Sequence, residues 1–220
     1  MEKSFCLVVL GLGLVMVCQI GLTAPIDIEK AEIAYLFEEG KGKVAKDASN
    51  NKRNGSLESG VKYGPGKFGT GLVYDGKDDN LIVKGYHGIG GQDPRTVLYW
   101  FKSESAREHS WVKWGPNVAT KKYYVRAHVA GAKCWLRVEN NGGNNWGDVD
   151  VCDGKWHHHA VVFPNKAKDV QDHNIYVDGK LNGKAGAANP MDTDDKAQEV
   201  VMGDFLAHHV FMHGSFDEVA

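Results

Sequence analysis

The chain has 220 residues, a formal net charge of -2 and 42% hydrophobic residues. This length and apolar content suffice for one sizeable core, so the sequence does not require a second domain. The basic residues are dispersed along the chain, which argues against nucleic acid as a partner.

The first 24 residues have the pattern of a secretory signal peptide. Lys3 supplies a positive charge, and residues 5–22 are almost continuously apolar. Cleavage after Ala24 would leave a short linker at residues 25–32, followed by a single domain at residues 33–220. If the segment is not cleaved, it is just long enough for a membrane anchor. The sequence therefore predicts a protein that is secreted or displayed at the cell surface.

Short apolar segments alternate with turn residues along the rest of the chain. No long stretch has a helical period, so the pattern predicts an all-β protein. Asp178-Gly179 is a dipeptide typical of tight hairpin turns, whereas residues 185–198 have the weakest strand pattern. The predicted strands lie at residues 33–37, 56–57, 72–74, 80–83, 96–101, 122–129, 134–138, 156–163 and 175–177.

Cys134 and Cys152 remain after removal of the signal peptide, and an exported chain is the setting in which a disulfide persists. The midpoint between them is Gly143, inside a run of Asn and Gly residues that favours chain reversal. If residues 133–139 and 147–151 form the arms of a hairpin, the two cysteines face each other across it. Two buried free thiols are the alternative, and we predict the disulfide.

Six segments, in this order, resemble the laminin-G-like jelly rolls of the concanavalin A-like lectin/glucanase superfamily. One of them is Asp-Gly-Lys-Trp-His-His at residues 153–158. The resemblance implies an antiparallel jelly-roll sandwich of two sheets, with variable loops at its rim. It also implies that Trp156 packs inward. The segments lie at residues 34–40, 47–50 with 54–55, 66–69 with 74–79, 153–158, 175–180 and 214–219.

Histidine and acidic residues suggest two kinds of metal site. Alternation along a strand places His157 and His159 on one face and His158 on the other, so the three cannot share one ion. Calcium fits better, because it prefers carboxylate and carbonyl oxygens and some members of the resembled family carry it. Asp78 and Asp79 form an acidic turn that suits either calcium or an ordinary loop. The predicted shared calcium site consists of Asp47, Asn50, Asn54, Asp217 and Glu218.

Carbohydrate is held by aromatic ring faces beside amide groups. Trp146 lies at the predicted hairpin tip between such amides, although it could equally cover the edge of the sandwich. We expect Trp100 and Trp135 to fill the core. The predicted ligand-binding residues are Trp146, Asn144 and Asn145, together with Trp111 and Trp114 in a segment predicted to be a loop.

Catalysis by a retaining glucanase requires two carboxylates about 5 Å apart. The Glu-x-Asp-x-x-Glu spacing of the resembled glucanases does not occur in the sequence, and a nucleophile elbow and an HExxH motif are also absent. The sequence therefore predicts a non-catalytic module that binds carbohydrate or a surface glycoconjugate. A protein-binding adhesion or assembly domain is the alternative, and a glycoside hydrolase is less favoured.

Overall fold

The computed structural model describes residues 27–194, 196–205 and 209–220. The predicted signal peptide lies outside these residues, and within them no helix is long and apolar enough to cross a membrane. The predicted linker is described from Asp27 onward and contains a 3-10 turn at Ile28–Lys30. The backbone amide of Asn50 donates to the carbonyl of Glu29, so this segment lies against the domain.

Two antiparallel sheets of the described residues pack face to face, as predicted. The nine-stranded sheet has the order β1 (Val44–Ala45), β2 (Gly55–Glu58), β5 (Asn80–Val83), β15 (Val200–Met202), β7 (Ser110–Trp114), β8 (Tyr123–Ala130), β9 (Lys133–Glu139), β10 (Asn144–Trp146) and β14 (Lys184–Ala185). The seven-stranded sheet has the order β13 (Lys180–Leu181), β12 (Asn174–Val177), β11 (Trp156–Phe163), β6 (Arg95–Lys102), β18 (His213–Asp217), β4 (Thr70–Asp75) and β3 (Lys62–Pro65). A separate ribbon pairs β16 (Asp204–Phe205) with β17 (Val210–Phe211), and a second 3-10 turn spans Val170–Asp172.

The central pair of the seven-stranded sheet shows why these residues form strands. Strands β6 and β11 pair from Trp156 opposite Lys102 to Phe163 opposite Arg95. Every second side chain of β11 is buried, beginning with His157. Such alternation buries one apolar face and leaves the other half-solvated. Phe101 of β6 is fully buried, and its replacement by alanine would cost about 3–5 kcal/mol.

The predicted inward position of Trp156 is wrong. Trp156 shares the half-buried outer face of β11 with His158, because the buried His157 between them fixes the alternation. His157 instead joins two turns: its Nδ1 lies 2.8 Å from Asp178 Oδ2 and its Nε2 lies 3.0 Å from Asp153 Oδ1. The histidine run is therefore built into the framework.

Two predicted strands differ from the structure. Residues 33–37 do not form a strand, since Tyr35 makes only isolated bridges, to Val219 and Asp47, before Phe37 turns the backbone to a positive φ. The second arm of the predicted hairpin, residues 147–151, is not a strand either: the strand that pairs with β9 is β10, which begins earlier and ends at Trp146. The chain reverses early because a compact turn follows β9, in which Asn140 Oδ1 accepts a hydrogen bond from the Gly143 amide.

The disulfide between Cys134 and Cys152 is confirmed, with 5.6 Å between the two Cα atoms. Cys134 lies in β9, and the Val151 amide donates to its carbonyl at 2.9 Å. The bridge thus fastens the irregular segment after β10 to the sheet. The predicted hairpin turn at Asp178-Gly179 also forms: both residues have positive φ, 52° and 74°, as a type I′ turn requires.

Candidate functional site

Tryptophan burial is the reverse of the sequence prediction. Trp111 and Trp114 belong to strand β7 rather than a loop, and they are 0% and 4% exposed. Trp100 and Trp135, which were expected in the core, are half-buried on the outer faces of their strands. In β9, for example, Leu136 is buried, so its neighbour Trp135 points outward.

Trp111 cannot bind a ligand through its ring. It packs in the core with ring centroids 4.9 Å from His159 and 5.1 Å from Phe101. An irregularity in the pairing of β7 between Ser110 and Val112 allows consecutive residues to be buried. The sequence analysis assigned Trp111 to a loop, and the bulge in β7 is the reason that its ring is buried beside two buried neighbours.

A row of aromatic and basic side chains occupies the outer face of the nine-stranded sheet at strands β8, β9 and β10. His128 lies opposite Trp135, and Arg126 lies opposite Arg137, which in turn lies opposite Trp146. All five are half-buried. We term this set, Arg126, His128, Trp135, Arg137 and Trp146, the aromatic–basic face. Of these five residues, the sequence analysis predicted only Trp146 to bind a ligand. Alternation within residues 122–129 already places Arg126 and His128 on the same face of that strand.

The rings of this face are close enough to form one contiguous cluster. The His128 ring stacks on Trp146 at 5.4 Å and an interplanar angle of 27°, and it lies 5.7 Å from the Trp135 ring. The Arg137 guanidinium lies 5.9 Å from the Trp146 ring, within range of a cation–π interaction. Aromatic faces beside guanidinium groups can stack on a sugar ring and pair with its carboxylate or sulfate.

Glu139 forms ion pairs with the basic side chains at this face. Its carboxylate lies 2.7 Å from Lys122 Nζ, 2.8 Å from Arg137 Nη2 and 3.7 Å from Arg126 Nη1. Burial raises the pKa of Glu139, but Lys122, Arg137 and Arg126 outweigh burial and hold the pKa below its ordinary value. Arg126 also pairs with Glu108. These three cations and two carboxylates leave this part of the described surface positively charged.

The pKa of His128 lies below its ordinary value of 6.5. Burial lowers its pKa, and the neighbouring Arg137 and Arg126 lower it further. The charge of the face therefore comes from its arginines, while His128 supplies an aromatic surface.

The predicted asparagines have different roles. Asn145 is 3% exposed, and its Nδ2 donates to the carbonyls of Gln171 and His173. Asn145 therefore has a structural role, and ligand binding by this residue stays a prediction. Asn144 is half-buried, and its Oδ1 accepts a hydrogen bond from the Ala187 amide at 3.3 Å. Both amides hold neighbouring segments against the edge at β10.

The first half of the predicted calcium site is a hydrogen-bonded loop. Asp47 is 4% exposed and accepts hydrogen bonds from the backbone amides of Ala34, Ser49 and Arg53. Asn54 Oδ1 accepts from the Asp47 amide, whereas Asn50 is exposed. Asp47 thus organises its own loop.

The second half has a similar structural role. Asp217 is fully buried, its Oδ2 accepts from the amides of Lys67 and Phe68, and its Oδ1 accepts from the Glu218 amide. Burial raises the pKa values of Asp217 and Glu218. The groups of three or more His, Cys, Asp or Glu ligand atoms found among the described residues do not include Asp47, Asp217 or Glu218. The predicted calcium site stays a prediction.

A cavity of about 410 Å³ lies between the two sheets. Its walls are mainly apolar and include Leu98, Val112 and Trp114. Arg95 also borders it, but its guanidinium is already bonded to carbonyls such as those of Ile89 and Gly90. The cavity therefore offers little to sugar hydroxyl groups, and binding by Trp114 stays a prediction.

The comparisons with known proteins agree with this architecture. A family model described as the Concanavalin A-like lectin/glucanases superfamily matches residues 75–220. No curated protein sequence gives a significant match.

Several solved structures are similar. Domains LG4-5 of the mouse laminin alpha1 chain are 17% identical with a TM-score of 0.50, over 72% of this chain and 41% of that one. The binding domain of botulinum neurotoxin DC in complex with SialylT is 12% identical with a TM-score of 0.57, over 87% and 48%. The same binding domain in complex with rat synaptotagmin II is 11% identical with a TM-score of 0.53, over 86% and 46%.

This chain spans less than half the length of those solved chains. At these identities the similarity shows the fold alone. The family match covers most of the chain and agrees with the two-sheet sandwich. The chain therefore belongs to the concanavalin A-like lectin/glucanases superfamily.

Proposed function

We propose that the protein is an exported, non-catalytic module that binds an acidic glycan through its aromatic–basic face. The observation that carries this proposal is the row of Trp146, His128 and Trp135 rings with Arg137 beside it. A sugar presents C–H groups that stack on aromatic rings, and an acidic sugar adds an anion that matches a guanidinium fork.

The charge of the face supports an acidic rather than a neutral glycan. Lys122, Arg126 and Arg137 outnumber the carboxylates Glu139 and Glu108 around it. The sequence analysis placed Trp146 at a hairpin tip, whereas it lies in strand β10 of the nine-stranded sheet. The mainly apolar cavity offers few of the hydrogen-bonding groups that sugar hydroxyls require.

The fold by itself does not choose the ligand. Structures of the similar botulinum neurotoxin DC domain include one complex with SialylT and one with rat synaptotagmin II. That toxin domain is thus seen in complexes with two different partners. The choice for this chain depends on its own surface.

A glycan array followed by calorimetry on a positive acidic glycan tests the proposal. Trp146→Ala removes one stacking ring, and we expect at least a roughly tenfold loss of affinity, about 1.4 kcal/mol. Trp100→Ala is a matched control: Trp100 is also a half-buried tryptophan next to a histidine and a cation, with His158 at 5.2 Å and Lys67 at 4.6 Å. It lies on the other sheet, so this variant should bind normally.

Two further results would contradict the proposal. Binding that is lost in Trp100→Ala and kept in Trp146→Ala would move the site to the other sheet. In the second result, the protein would bind the neutral and acidic forms of one glycan with equal affinity, and this affinity would not weaken as salt is raised from about 0.05 to 0.5 M. That result would exclude a role for the arginines.

Recognition of a protein is the second candidate function, and a specific patch favours it. Phe68 is 48% exposed and meets Trp100 edge-on at 5.8 Å. Exposed aromatic residues of this kind often anchor protein interfaces. Two results together would favour this function over the first. The glycan array would show no positive glycan, and a protein partner would lose binding to Phe68→Ser but not to Trp146→Ala.

A further inference from the structure

The aromatic–basic face has two chemically different ends, because strand β9 presents an arginine and a tryptophan in succession. Arg137 and Trp135 are alternate residues of β9, so their Cα atoms are about 7 Å apart. Arg137 lies opposite Arg126, whereas Trp135 lies opposite His128. The row of rings runs from Trp146 through His128 to Trp135. We term Arg126 with Arg137 the arginine end and Trp135 the tryptophan end.

The arginine end carries fixed positive charge. The Arg126 and Arg137 side chains are 12% and 19% exposed, and Glu139 pairs with both of them, at 3.7 Å and 2.8 Å. Together with Lys122 and Glu108, the described side chains of this end sum to one positive charge. Guanidinium groups that are held in place in this way lose little freedom when they meet a carboxylate or a sulfate.

Carboxylates border the tryptophan end. Residues 147–151 run beside β9, since the amides of residues 147 and 151 each donate to a β9 carbonyl at 2.9 Å. This segment carries Asp148 and Asp150. Asp150 Oδ1 accepts from the Cys134 amide at 3.2 Å, which places its carboxylate next to the backbone that precedes Trp135.

The net charge at the tryptophan end is negative. Asp148 is exposed, and its Oδ1 accepts a hydrogen bond from Asn182 at 2.9 Å. Lys133 follows Trp135 on the same face of β9 and adds one positive charge. With Asp150, these described side chains sum to one negative charge. The two ends of the face therefore have opposite charge.

The separation of the ends is large enough for a ligand to distinguish them. Salt screens charges over about 8 Å at physiological ionic strength, which is similar to the distance between the ends. An anion at the arginine end is therefore attracted there and only weakly repelled by Asp148 and Asp150. A second anion above Trp135 would meet those carboxylates directly, whereas an uncharged sugar there would stack on the indole ring.

We propose that the face selects a glycan with one anionic residue followed by uncharged residues. The carboxylate or sulfate of that residue lies at Arg126 and Arg137, and the next sugar stacks on Trp135. Asp148 and Asp150 determine specificity, because they disfavour glycans that are charged at every residue. This inference rests on the proposed function and names the class of acidic glycan that the face accepts.

Calorimetry with two matched trisaccharides at about 0.05 M salt tests the selectivity. One trisaccharide has a single terminal uronic acid joined to two neutral hexoses, and the other has three uronic acids. We expect the singly charged probe to bind roughly threefold more tightly, which is the effect of one unit charge about 7 Å away in water. An unselective basic patch would give the opposite order, because its attraction rises with the charge of the ligand.

Asp148→Asn should reduce this preference. We expect it to strengthen binding of the triply charged probe roughly threefold, through the loss of one repulsive charge, and to leave the affinity for the singly charged probe unchanged. Asparagine keeps an Oδ1 atom that can accept the bond from Asn182. Asp27→Asn is the matched control, since it also removes an exposed charge, from the segment before β1. This control should bind both probes normally.

Trp135→Ala tests the position of the uncharged sugar. It should weaken binding of the singly charged trisaccharide roughly tenfold, the upper part of the range for loss of a stacked ring. Binding of a free uronic acid, which occupies only the arginine end, should not change. Trp100→Ala on the other sheet again serves as the control for loss of a half-buried tryptophan.

The proposal would be overturned if the triply charged probe bound as tightly as the singly charged one, or if Asp148→Asn left the ratio of the two affinities unchanged. Equal losses of trisaccharide and free uronic acid binding in Trp135→Ala would also overturn it. If the array has a positive acidic glycan, these results refute only the selectivity and leave the proposed function standing. An array without any acidic glycan would refute both.

Discussion

Replacing Glu139 by glutamine tests how the ion cluster beneath the aromatic–basic face contributes to stability. The Glu139 and Lys122 side chains are only 9% and 3% exposed, and their charged atoms lie 2.7 Å apart. Removing one partner of such a buried pair costs roughly 3–5 kcal/mol, because the other charge stays in a low-dielectric environment. Arg137, at 19% exposure, can still reach water, so we expect the lower end, about 3 kcal/mol.

Urea unfolding at pH 7 measures this loss. Glu139→Gln should lower the urea midpoint without changing the slope of the transition, since the surface exposed on unfolding is nearly the same. Asp27→Asn is the control, because Asp27 pairs with Lys30 through side chains that are 50% and 81% exposed. Its loss should cost about 0–1 kcal/mol.

The pH dependence gives a second measure of the same prediction. The folded-state pKa of Glu139 lies below the ordinary value of 4.5. Its ionic contribution is therefore fully present above about pH 4.5 and is lost as the pH falls through the folded-state pKa. The stability difference between the original protein and Glu139→Gln should thus shrink in acid. Equal urea midpoints at pH 7, or a difference that does not shrink below pH 4.5, would refute the reasoning.

The disulfide and two buried histidines give further predictions. Replacing Cys134 and Cys152 together by serine should cost roughly 3 kcal/mol of unfolding free energy on the chain-entropy model, and equal melting curves with and without reductant would contradict this. Burial lowers the pKa values of His109 and His173 to about 4 from 6.5. The unfolded chain therefore binds protons first, and stability should fall below pH 6.5 by up to about 1.4 kcal/mol per pH unit for each histidine. Urea midpoints at pH 7, 6 and 5 check this, and a flat profile would contradict it.

Local patterns were sufficient for much of the fold. Residues 80–83 and 156–163 were predicted as strands with the bounds that β5 and β11 have in the structure. Turn residues flank each segment, and alternation or a short apolar run fills it. The disulfide was also predictable, because a turn midway between two cysteines brings them together whatever the rest of the fold does.

The candidate sites were not predictable in the same way. The position of Trp111 depends on a bulge in β7, and the outward position of Trp135 depends on which side of β9 the second sheet covers. The side of the sheet on which such a side chain lies depends on the register between strands.

The sequence by itself determined the class of the protein: an antiparallel sandwich whose strands, turns and disulfide follow from short-range chemistry. Only the tertiary structure decided which side chains share a surface, because a shift of one residue in register moves every side chain of a strand to the opposite face. The aromatic–basic face unites residues from three strands. This grouping does not exist before the strands have paired.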